Sequence, residues 1–279
     1  MKGIEIKRIL KNKSIVIGGT IVLLLILCAI FAPIISTHDP YEMNMNETLL
    51  KPGEQGHLLG TDQYGRDLLT RIIYGARVSL IVGISSVAIS MIIGVTIGLI
   101  AGYYGGLIDA FFMRIVDIFL SFPVVLLAIA LVAALGPGIE NVIIAIGLVY
   151  WTNYARVVRG NVLSIKEEDF VQAAKTIGSS NFRIIFYNIL PNTMSSIIVI
   201  ATLGLGVAIV SEATLSFLGL GIEPPEASWG WTLAFGMKYI RETAHLSLYP
   251  GLAIIITVLG FNLLGDGIRD LTDNKLEKK

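Results

Sequence analysis

Few residues of this chain have a type and spacing that could do chemistry. Asp62, Arg66 and Asp67 crowd together in Gly60-Thr-Asp-Gln-Tyr-Gly-Arg-Asp67. Mixed charge at that spacing suits an ion-pair cluster that fixes the loop over the second span, a structural role favoured over substrate contact. Arg114 and Asp117 stand at i, i+3 and are expected to pair on one helix face. Glu212 is an acid late in a long apolar run. A charge at a bilayer centre costs about 2.5–3.5 kcal/mol on insertion scales and less near the interface. Glu212 is therefore either an interfacial acid packed against a neighbouring helix or a pathway or gate residue. The spacing of His38, His57 and His245 matches no metal motif, so no metal site is expected. With one cysteine, Cys28, neither an intrachain disulfide nor a paired-cysteine metal site is open to the chain. It contains no Gly-Lys pair and hence no phosphate-binding P-loop. No catalytic cluster of acids, histidines or serines stands out, and an enzyme is not expected.

The elements that must position these residues are apolar helices. Of 279 residues, 54% are hydrophobic and only 15% charged, where a soluble domain carries about 25%. Mean hydropathy is +0.75. Net charge is zero, so nucleic acid is not an expected partner and membrane lipid is. Six runs approach the roughly 20 apolar residues a spanning helix needs: 15–35, 79–102, 117–135, 140–158, 193–217 and 248–267. Gly136-Pro-Gly138 is a tight turn between the third and fourth. The first run follows Lys2, Lys7, Arg8, Lys11 and Lys13; it exceeds a signal-peptide core of about 7–15 residues, and no small-x-small cleavage site follows it. It is expected to be a retained span.

Basic residues set the orientation. With the N-terminus inside, 15 of the 21 lysines and arginines fall on the same side. Both termini are then cytoplasmic. The organisation predicted is a cytoplasmic N-terminus at 1–14, a first span at 15–35, an extracellular loop at 36–76 and a five-span core at 77–267. That core contains a cytoplasmic segment at 159–191 and an outer loop at 219–247, and a cytoplasmic tail follows at 268–279. Trp229 and Trp231 in the outer loop read first as interface anchors. Gly83, Gly94, Gly98 and Gly102 offer small faces for close helix packing.

The cytoplasmic segment is polar where its neighbours are oily. Ser164 and Glu167 fit a capping box. A short helix would follow, with Phe170, Ala173, Ala174 and Ile177 on one side, ended by Gly178. Ser179-Ser180-Asn181 can turn the chain and cap a second helix carrying the stripe Phe182, Ile185, Phe186 and Ile189. Pro191 marks the boundary before the fifth span. Such a segment either packs on its own spans or offers small residues and aromatic knobs to another protein.

"QAAKTIG" followed by "NILP" resembles the EAA signature of permease subunits in ABC-type importers. Gln172 stands where the signature has Glu, and Asn188 where it has an apolar residue; Ala173, Ala174, Gly178, Leu190 and Pro191 match. The resemblance extends along the chain. "LLGTDQYGRDLLTRIIYGARVSL", "RIVDIFLSFP", "EATLSFLGLG" and "FNLLGDGIRD" look like the C-type permease of dipeptide, oligopeptide and nickel importers. It implies an all-α integral membrane fold of six helices, the type I ABC importer permease fold. It implies that Gln172, Ala173, Ala174, Gly178, Phe182, Leu190 and Pro191 belong to coupling helices that dock into an ATPase. The implied partners are a homologous permease subunit, two ATPase subunits and an extracellular substrate-binding protein, the last facing the outer loop. No cofactor is expected on this chain; ATP and magnesium are expected on the ATPase subunits. The implied cargo is di- or oligopeptides, or else nickel or metal chelates, and the location is the cytoplasmic membrane of a prokaryote. The competing class is a self-contained channel or secondary carrier. The scarcity of charges in the third to sixth runs weakens an ion-coupled carrier, whose coupling sites lie near the midplane.

Overall fold

The computed structural model describes residues 6–276. Apart from one isolated bridge between Thr61 and Asp67, its regular structure among the described residues is helical. The principal helices are α1 (Lys13–Ile30), α2 (Leu68–Tyr104), α3 (Gly106–Leu120), α4 (Val124–Leu135), α5 (Ile139–Ile165), α6 (Asp169–Thr176), α7 (Asn181–Phe217), α8 (Trp229–Lys238) and α9 (His245–Leu276). Five are long and apolar enough to cross a membrane, and a sixth span results if α3 and α4 count as one broken crossing. Exposed Leu24, Ile92 and Ile255 belong to the apolar skin that such spans present.

The third span differs from expectation. The run 117–135 is not one straight helix: α3 and α4 meet at 88°. Pro123 is the cause. It has no N–H to continue the ladder, and it pushes Phe122 away from helical backbone angles. The first span also stops earlier than its apolar run, because Pro33 opens a separate short turn at Ala32–Ile35.

Helix α2 is the backbone of the fold and packs along α5. Its small residues make that approach possible. A Cβ on Gly98 would lie 2.7 Å from the Ala155 carbonyl oxygen, and one on Gly102 would lie 2.7 Å from Val162 Cβ. Close backbone contact of this kind drives helix association where lipid removes the hydrophobic incentive. Ser86 and Ser90 donate across the same seam to the carbonyls of Ile143 and Gly147. Helix α9 lies against α1 and α7 and closes the bundle.

One end of the bundle is built from α6 and the start of α7. The other end gathers the loop 36–67, the start of α2, and the segment 218–244 with α8. Each end holds one of the candidate sites.

Candidate functional site

The α6–α7 elbow sits on the bundle through a small apolar core. Val171 and Ala174 of α6, with Ile184, Ile185 and Ile189 of α7, are buried against Leu99 of α2 and against Val158 and Val162 of α5. Burying each of the Val, Leu and Ile side chains is worth about 1.5–3 kcal/mol, so the elbow is tied to two spans. Lys166 donates to the Gly102 carbonyl at 3.1 Å and Tyr103 to Asn181 at 2.8 Å, which fixes it at both edges.

Several expectations for this elbow are corrected. Helix α5 runs on through Ser164, so the capping box at Ser164 and Glu167 does not form. Glu168 is the N-cap of α6 and makes no side-chain cap. Pro191 does lie at the expected boundary, in the first turn of the regular α-helical stretch Leu190–Phe217, but the boundary is not a break. The chain passes through it inside α7, by a wider turn at Ile184–Ile189 in which the Leu190 N–H reaches back to the Ile185 carbonyl. That wide turn accommodates a residue with no N–H to give. The two predicted stripes are each split between inside and outside. Ala174, Ile185 and Ile189 face the core, while Phe170, Ala173, Ile177, Phe182 and Phe186 are exposed. The π turn rotates the later residues relative to an ideal helix.

Other features agree with the sequence. Gly178 has φ +78°, the left-handed conformation of a helix C-terminal glycine. Ser180 Oγ accepts from the Arg183 N–H at 3.4 Å and caps the second helix. Phe182 and Phe186 stand together on the surface, ring centroids 4.4 Å apart. Gln172 is exposed and donates to the Lys166 carbonyl at 2.8 Å. Leu190 is half-buried and Pro191 exposed. The elbow thus presents Phe170, Ile177, Phe182 and Phe186 to its surroundings from a rigid base.

At the opposite end Glu212 is completely buried near the end of α7. Its Oε1 accepts from Ser216 Oγ at 2.8 Å and from Ser228 Oγ at 2.9 Å. Ser216 Oγ also accepts from the Ile222 N–H, and Ser228 Oγ from the Trp231 N–H at the start of α8. One carboxylate therefore joins the end of α7, the turn after it and the N-terminus of α8. Oε2 has no hydrogen-bond partner among the described residues. Two clefts run along the bundle nearby. The first, about 200 Å³, is lined by Ser86, Ser90, Tyr150, Asn153 and Tyr154 among apolar residues. The second is lined by Tyr150, Ser211, Thr214 and Asn262. Glu212 lines neither. Trp229 is not an interface anchor: it is buried and donates through Nε1 to the Ile72 carbonyl at 2.9 Å. Trp231 is half-buried against Phe235.

The ion-pair expectations hold only in part. Asp62 and Arg66 pair at 2.7 Å, both buried. Asp67 joins neither. It caps α2 through the Thr70 N–H at 2.7 Å and faces His57 Nδ1 at 2.8 Å. Asp117 pairs with Arg156 of α5 at 2.9 Å instead of with Arg114 on its own helix. The packing of α3 on α5 sets that partner opposite it. Two residues missed in the sequence hold this architecture. Arg71 is buried and donates to the carbonyls of Pro40, Pro225 and Glu226 at 3.0–3.3 Å, so one guanidinium stitches two loops to α2. Arg159 makes a bidentate pair with Asp109 at 2.5 and 2.6 Å. Burial works against a charged His57 ring, but hydrogen bonds to Asp67 and Glu47 raise its pKa above the ordinary histidine value.

Comparisons with known proteins agree with this architecture. Residues 94–278 match the model of the binding-protein-dependent transport system inner membrane component. Residues 5–52 match that of the N-terminal TM domain of oligopeptide transport permease C. A dipeptide transport system permease protein of Alkalihalophilus pseudofirmus is 48% identical over 97% of this chain and 89% of its own. A di/tripeptide transport system permease protein of Pseudomonas aeruginosa is 44% identical over 95% and 89%, and a glutathione transport system permease protein of Salmonella paratyphi A is 44% identical over 97% and 89%. Among solved structures, a chain of the MetNI methionine ABC transporter superposes with a TM-score of 0.56 at 19% identity, covering 73% of this chain and 96% of that one. The chain belongs to the inner-membrane component family of binding-protein-dependent transport systems and is a permease subunit of an ABC importer.

Proposed function

We propose that this permease carries di- or oligopeptides through a pathway made with a homologous permease subunit, driven by two ATPase subunits docked on the α6–α7 elbow. The observation that carries the proposal is the exposed apolar surface of Phe170, Ile177, Phe182 and Phe186 on a base anchored to α2 and α5. A surface of that kind can bind a partner's groove and pass its movement to the spans. Relatives named for dipeptides, di/tripeptides and glutathione support the peptide cargo; none of these names favours nickel. ATP and magnesium belong to the ATPase chains. A binding protein docks on the end built by the loops 36–67 and 218–244. Both termini lie in the cytoplasm, and the assembly sits in the cytoplasmic membrane of a prokaryote.

The test is co-expression with the partner permease, ATPase and binding-protein chains, followed by purification in mild detergent and reconstitution. Stoichiometric ATPase and ATP-dependent uptake of labelled dipeptide are expected. Uptake driven by an ion gradient without ATPase chains would replace this proposal with a secondary carrier.

A further inference from the structure

The loop 36–67 brings together three side chains that sequence spacing keeps apart. His38 and His57 stack with ring centroids 4.5 Å apart. Both turn Nδ1 toward the same oxygen, Asp67 Oδ1, at 3.7 Å and 2.8 Å. Asp67 is fixed from behind, because its other oxygen accepts the Thr70 N–H at 2.7 Å. Oδ1 is therefore the one presented to the rings. The ligating atoms all lie within 4.8 Å of one another.

His57 is held on two sides. Its Nε2 faces Glu47 Oε2 at 3.3 Å while its Nδ1 faces Asp67. A neutral imidazole has one N–H to give. If that proton goes to Glu47, the Nδ1 lone pair points at a carboxylate, and the contact becomes favourable when a second proton or a metal ion binds there. A carboxylate on the far nitrogen is also the arrangement that orients histidines on metals.

We propose that His38, His57 and Asp67 bind a divalent transition-metal ion of the zinc class, with Glu47 orienting His57 through Nε2. Two imidazole nitrogens and one carboxylate oxygen suit such ions better than calcium or magnesium, which take oxygen ligands. The ion's two charges are balanced by Asp67 and Glu47; Asp62 is already engaged by Arg66. His57 and Asp67 are buried and form the floor of the site. The His38 side chain is 34% exposed and forms its mouth. Its Nδ1 lies 2.9 Å from Thr37 Oγ1 and turns from that hydroxyl to the ion. Three protein ligands leave a fourth position for water. Bound there, the ion cross-links the loop to the first turn of α2. This site is separate from the clefts and does not concern the transported cargo.

The experiment is a Co²⁺ titration of the purified full chain, free of any histidine tag, followed by its visible ligand-field absorption. One saturable Co²⁺ per chain is expected, displaced by Zn²⁺. His38→Ala lies at the surface and leaves the fold intact; it should weaken binding by at least about 10-fold. His245→Ala, a histidine outside the cluster, should bind as the parent does. Zn²⁺ should also raise the thermal midpoint of the parent and not that of His38→Ala. The absence of saturable binding, or equal affinity in the parent and His38→Ala, overturns the site. Equal loss in His38→Ala and His245→Ala does so too.

Discussion

Glu212 and Ser228 stand sixteen residues apart in sequence and share one buried hydrogen bond of 2.9 Å. That bond joins the end of α7 to the N-cap of α8, the short helix that packs on α7 and α9. Removing the donor leaves a buried acceptor short of a partner, which costs about 1–3 kcal/mol. Ser228→Ala should lower the thermal midpoint of the detergent-solubilised protein by several degrees. Glu212→Gln keeps an acceptor oxygen and should assemble and transport. Glu212→Leu loses all the contacts and should fail to assemble. Normal uptake by both Glu212 variants would remove this residue from the transport machinery.

The glycine face of α2 makes a second expectation. Gly98 has no room for a Cβ against the Ala155 carbonyl, so Gly98→Val forces α2 and α5 apart. Overpacking of this kind costs about 1–3 kcal/mol. Gly160 lies on α5 with open space around it. Gly160→Ala should be neutral or gain about 0.5–1 kcal/mol from helix propensity. Thermal midpoints in the same detergent distinguish the two. Equal effects would mean that helix propensity, not interhelical contact, governs both sites.

Five spans and the seam at Gly94, Gly98 and Gly102 were legible in the sequence because apolar length and small-residue spacing are local signals, whereas the 88° break in the third run was not. The site pairings were less so. Asp117 had an acceptable partner three residues away in Arg114, yet tertiary packing offered Arg156 instead. Asp67 looked like part of a charge cluster with Asp62, but its position just before α2 recruits it as a cap. His38 and His57 meet through loop geometry that no spacing rule encodes. At Pro191 the boundary was legible, but the wider turn at Ile184–Ile189 that joins the short helix to the span was not.

Topology can be tested without transport. In a Cys28→Ser background, single cysteines at Asn46 and Glu226, both exposed, should react with a membrane-impermeant thiol reagent in intact cells. A cysteine at Ser179 should react only after lysis. Labelling of Ser179→Cys in intact cells would invert the orientation that the basic residues imply.

The elbow yields the last prediction, because its two key residues make different kinds of contact. Gly178 has φ +78° and nothing within 4 Å of the position a Cβ would take. Gly178→Val therefore suffers backbone strain alone, about 1–2 kcal/mol. Gly178→Asn suffers less, since Asn tolerates the left-handed region. Phe182 is 65% exposed and touches this chain chiefly through Phe186. Its removal should cost the isolated permease no more than the stacking term, about 0.5–1.5 kcal/mol. If the ring fills a groove on the ATPase, however, truncation removes an aromatic anchor worth about 2 kcal/mol or more, a roughly 30-fold loss of affinity. Phe182→Ala should thus leave the thermal midpoint of the free subunit nearly unchanged while ATPase copurification and ATP-driven uptake fall together. Gly178→Val should lower both the midpoint and coupling, and Gly178→Asn should recover most of each. A Phe182→Ala permease that keeps parental ATPase affinity and uptake would reduce the elbow to a surface loop.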